Sequence, residues 1–222
     1  MGYNDQRIAS TDNSRIFINL DNSIAHEISG LEKKYIAYLG FLGHELGHVL
    51  YTDFNVCQEQ AEALYISKHW YPSRPQNANV DVFEGYCFAG KIPLSLFSQV
   101  FHSITNIVED YYVNHKMGSE WPGLFRDGIA QTQAQMWEQY PKPDDEIMSG
   151  LSGCINTFHQ LLVQQDCPAE LKQRFPMLIG VENVGSRIIE MDNYLDRAML
   201  CNELFLLTWP ELKKFIDDNC AN

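Results

Sequence analysis

The stretch "FLGHELGHVLYTDF", residues 41 to 54, constrains this chain more than any other, because it sets three polar side chains into an apolar helix. Phe41, Leu42, Leu46, Val49 and Leu50 surround His44, Glu45 and His48. With Tyr35 and Leu39 they recur at helical spacing, and the pattern predicts a helix from Glu32 to Tyr51. Residues i and i+4 of a helix stack on one face, so His44 and His48 present two imidazoles to one point. Glu45 lies about 100° round the helix, near that point but beside it. Buried polar groups need partners, and a metal ion holding a water satisfies all three. Gly47 lets another segment come close between the two histidines.

The spacing H-E-x-x-H is that of zinc peptidases, in which two histidines hold the ion at about 2.0 to 2.1 Å. The glutamate takes a proton from the water on the metal, which zinc acidifies toward a pKa of about 7. The competing account is a plain amphipathic helix whose histidines donate to backbone carbonyls. A catalytic zinc site wants three protein ligands and one open position. The metzincin extension fails here, since Tyr51 stands at its glycine position and Phe54 at its third histidine.

The third ligand must then come from elsewhere, and "FHSITNIVEDYYVNHKM" (101 to 117) supplies candidates on a predicted helix. Glu109 forms a polar stripe with Asn106 before it and Tyr112 after it, while Asp110 lies about 100° round. Glu109 is the expected ligand and Asp110 the expected neighbour that orients a histidine, as in a gluzincin-like site, with the swap left open. His102 is a weaker candidate. Asp53 either caps the next helix or hydrogen-bonds a ligand imidazole. Tyr111, Tyr112 and His115 are candidates to stabilise an oxyanion. His26, His69 and His159 lie outside any pattern.

Elsewhere the chain reads as mainly α with a small β element. "SRIFINLDN" (14 to 22) alternates like a strand, suitably placed to align an extended peptide substrate beside the histidine helix. Residues 56 to 70 read as helix and 71 to 80 as loop. A long helix is expected from Leu94 to Met117, stopped at Gly118, and another over 183 to 209 with a joint at Pro210. The net charge of -13 argues against nucleic acid as a partner. No apolar run suits a bilayer and the N-terminus lacks a signal pattern, so a cytoplasmic protein is expected. Six cysteines without a C-x-x-C pair read as reduced thiols.

In order, "TDNSRIFINL", "YLGFLGHELGHVLYTDF" and "NIVEDYYVNHKM" resemble the zincin-like metallopeptidase domain of cobaltochelatase-subunit-like proteins that carry a von Willebrand factor A domain. The stretch "CNELFLLTWPELKKFID" (201 to 217) resembles the helical segment closing that domain. The resemblance implies a zincin-like core over 1–118, with a helical C-terminal bundle over 119–222 packed on it as one structural unit. It also implies one Zn2+ per chain, held by His44, His48 and an acidic residue of "NIVED", with Glu45 as base. Implied partners are a peptide or protein substrate and a von Willebrand factor A module or AAA+ ATPase. The alternative is a metal-binding interaction module of a chelatase-like or ATPase-associated assembly that hydrolyses nothing.

Overall fold

A computed structural model of the chain describes residues 8–164 and 167–220. It is mostly helical with one two-stranded sheet, as the sequence leads one to expect. Strand β1 (Ala9–Thr11) runs antiparallel to β2 (Ile16–Ile18), Ala9 opposite Ile18 and Thr11 opposite Ile16. The Asp12 carboxylate holds the turn, accepting from the backbone N–H groups of Ser14 (3.0 Å) and Arg15 (2.8 Å) and from the Ser14 hydroxyl (2.7 Å). The strand expected over 14–22 is thus cut to three residues. Its partner, the sequence Ala-Ser-Thr, carries no apolar alternation that would have announced it.

Helices α1 (Ser23–Glu27), α2 (Leu31–Tyr51), α3 (Phe54–Tyr65), α4 (Val80–Phe88), α5 (Leu94–Glu120) and α6 (Asp127–Glu138) follow in order. After them come α7 (Gly150–Val163), α8 (Ala169–Arg174), α9 (Gly185–Glu190) and α10 (Tyr194–Asn219). Helix α5 runs through Gly118 rather than stopping there. One interior glycine costs only about 1 kcal/mol, and the chain leaves the helix just before Pro122 instead.

The contacts group residues before Asp53 with Tyr112–Tyr140, and Asp53–Tyr111 with the residues from Pro141 on. Helix α6 packs along α2 and belongs with the N-terminal elements. In the first unit β1, β2 and α6 lie against α2. Ile24, Ile28, Ala37 and Phe41 form one buried cluster, and Met117, Phe125 and Ile129 another. Helices α2 and α6 touch backbone to backbone at Gly40, where an added Cβ would sit 2.3 Å from the Gly128 carbonyl oxygen.

The second unit is built on aromatic packing. Phe97 stacks on Phe101 (5.4 Å between centroids), and Phe83 meets Trp209 edge-on at 5.1 Å. Buried Gln60 fastens α3 to α10, its amide donating to the Ala198 carbonyl (2.6 Å) and to Asn202 Oδ1 (2.8 Å). The single helix expected over 183–209 is broken after Glu190, and the Asn193 side chain caps the restart by accepting from Leu195 N–H (3.0 Å). Helix α10 then continues straight through Pro210. The carbonyl that Pro210 cannot serve, that of Leu206, accepts from Asn79 Nδ2 at 3.2 Å. Among the described residues no helix is long and apolar enough to cross a membrane.

Candidate metal centre

Helix α2 carries His44, Glu45 and His48 in its fourth and fifth turns, with Glu45 buried and the histidines half-buried. The side chains of Val113 and Met117 lie where a Cβ on Gly47 would meet them at 2.9 Å, so α5 approaches between the two histidines as the glycine suggested. The His44 and His48 rings sit edge to face with centroids 4.8 Å apart.

Each imidazole is held by its Nδ1. His44 Nδ1 lies 2.9 Å from Asn114 Oδ1, and His48 Nδ1 lies 3.0 Å from Thr52 Oγ1. An amide oxygen only accepts, so His44 donates there and its Nε2 keeps a lone pair. The Thr52 hydroxyl can accept from His48 Nδ1–H, and the same tautomer then leaves the His48 Nε2 lone pair for a metal. Ligand atoms of His44, His48 and Asp110 all lie within 4.8 Å of one another. Ligands of a tetrahedral ion at zinc distances stand about 3.4 Å apart, so the three need close by no more than about 1.4 Å. Two imidazoles and a carboxylate are donors that suit a divalent transition metal.

Glu109, expected as the third ligand, is not in that group. It is 3% exposed and points into the second unit, where Arg197 Nε donates to its Oε1 (2.7 Å) and Arg197 Nη2 to its Oε2 (3.2 Å). Neighbouring side chains on a helix diverge by about 100°, so one carboxylate faces Arg197 and the other the histidines. Asp110, expected to orient a histidine, takes the place beside them. Asn114, one turn after Asp110 on α5, is the group that orients His44 instead.

The other candidates fall elsewhere. Asp53 caps α3, accepting from Asn55 N–H (3.0 Å) and Val56 N–H (3.2 Å). Asn106 and His102 are exposed and face one another, Asn106 Nδ2 lying 3.2 Å from His102 Nε2. Tyr112 is buried with its ring edge-on to Tyr51 (6.2 Å), and the Lys116 ammonium stands 5.7 Å from its centroid. Tyr111 packs its hydroxyl over Gly185. His115 is exposed, about 140° round α5 from Asp110.

Sequence reasoning missed Asn114 and Thr52, although each lies four residues after a group it had singled out, Asp110 and His48. It also left His159 unassigned. Burial on α7 pushes the pKa of His159 down, and the Asp110 charge acts on it in the opposite direction.

The chain matches no family model, no curated protein and no solved structure.

Proposed function

We propose that the protein is a zinc-dependent peptidase of the gluzincin-like kind, with His44, His48 and Asp110 as the metal ligands and Glu45 as general base. The observation that carries this reading is the convergence of three ligand atoms within 4.8 Å while both histidines are tied through Nδ1. A histidine that donates through Nδ1 offers its Nε2 as the ligand atom and is a better base toward a metal, as Asn114 arranges for His44.

Zinc bound there supplies Lewis acidity toward a substrate carbonyl and toward water. Asn114 and Thr52 fix the two rings, so the site is organised before substrate arrives. Glu45, buried and adjacent to His44, takes the proton of the attacking water and hands it to the departing amine. The β1–β2 hairpin lies against α2 and supports a peptide as the substrate class, because an edge strand takes an extended chain through main-chain hydrogen bonds.

The test is Glu45→Gln, assayed against a library of unstructured peptides. The variant is expected to keep its metal and lose turnover by at least about a hundredfold. Turnover at the parent rate would remove Glu45 from the mechanism. A parent that binds zinc and cleaves nothing would favour an interaction module.

A further inference from the structure

We propose that the buried Glu109–Arg197 pair positions Asp110 for metal binding, an inference that rests on the zinc-site reading above. Arg197 is fully buried and Glu109 nearly so, and the guanidinium spans both carboxylate oxygens. Arg197 also donates to the backbone carbonyls of Met191 (2.6 Å) and Asp192 (3.3 Å), in the break before α10. Its guanidinium lies 5.1 Å from the centre of the Tyr194 ring, whose hydroxyl meets Cys57 Sγ of α3 at 2.5 Å. Glu109 is thereby held by a polar cluster drawn from α3, α10 and the α9–α10 break.

A buried ion pair is a weak device for stability. Desolvating two charges costs several kcal/mol, and well-packed apolar side chains of similar volume commonly stabilise as well or better. What the pair supplies is direction. A bidentate fork fixes the carboxylate in plane and distance, which an apolar contact does not do. Asp110 follows Glu109 directly, so fixing Glu109 fixes how α5 is rotated about its axis, and with it the bearing of the Asp110 carboxylate. One turn of a helix tolerates little slack at a metal site, where ligand distances hold within about 0.2 Å. Arg197 and Glu109 are positioning residues in this account and touch neither metal nor substrate.

The experiment measures Zn2+ affinity of the full chain by competition with a chromogenic chelator, alongside thermal melting. The double variant Glu109→Leu/Arg197→Met removes both charges together and leaves neither unpaired. It is expected to stay folded, to melt below the parent because the Met191 and Asp192 carbonyls lose their donor, and to bind Zn2+ roughly 10- to 100-fold more weakly, the range found when groups supporting metal ligands are lost. Arg197→Lys keeps the charge and loses the fork, and is expected to weaken binding at least about threefold while remaining folded. A folded double variant with parental affinity, whatever its melting temperature, would overturn the proposal. Should the double variant not fold, unchanged affinity in Arg197→Lys overturns it and weakened affinity upholds it. A parent chain that takes up no Zn2+ overturns the metal site itself, an outcome read without reference to either variant.

Discussion

His44 donates its Nδ1 proton to the amide oxygen of Asn114, 2.9 Å away and one turn beyond Asp110 on α5. One helix therefore brings both the carboxylate of the candidate metal group and the group that sets the tautomer of His44. Asn114→Ala is expected to leave the fold intact and weaken Zn2+ binding by about 10- to 100-fold. Chelator competition on the purified variant checks this, and unchanged affinity would mean that the hydrogen bond does not tune the ligand.

The contact between Asn79 and the Leu206 carbonyl explains how α10 passes through Pro210 without a break. Asn79→Ala is expected to destabilise by about 1 to 2 kcal/mol, since it strands a carbonyl that has no N–H four residues on. In a Pro210→Ala background the restored N–H serves that carbonyl, and the same change should cost much less. A double-mutant cycle by urea denaturation reads the difference. Equal costs in both backgrounds would show that Asn79 does not compensate for the proline.

Asp12 in the β1–β2 turn has its pKa held down to about 2, first by the Ser14 hydroxyl and then by the backbone N–H groups of Ser14 and Arg15. A depressed carboxyl stabilises the turn above its unfolded value, 3.8, and that contribution is lost as pH falls from about 4 through about 2. An NMR titration of the Asp12 side chain should therefore find its midpoint near 2. In Ser14→Ala the midpoint should move upward, and a parental midpoint near 4 would contradict the hydrogen-bonded turn.

The sequence announced whichever parts of the molecule were fixed by local pattern. Apolar spacing gave α2 to within a residue at its start, and the spacing of His44 and His48 placed two side chains on one face. Asp53 followed a helix end and preceded another, and it does cap α3. What could not be read depended on partners distant in the chain. Glu109 and Asp110 are equivalent carboxylates until Arg197, 88 residues after Glu109, claims one of them. The break before α10 was equally hidden, because Arg197 and the Asn193 cap fix it through hydrogen bonds while the apolar pattern runs across it. Pro210 read as a joint because its remedy, Asn79, sits in a different part of the chain.

The most direct test of the account is the metal content of the purified parent, His48→Ala and Asp110→Ala after dialysis against zinc. The account predicts about one zinc per chain in the parent and almost none in either variant, with all three folded. Zinc retained at the parental level in Asp110→Ala, or a folded parent that holds none, would contradict it.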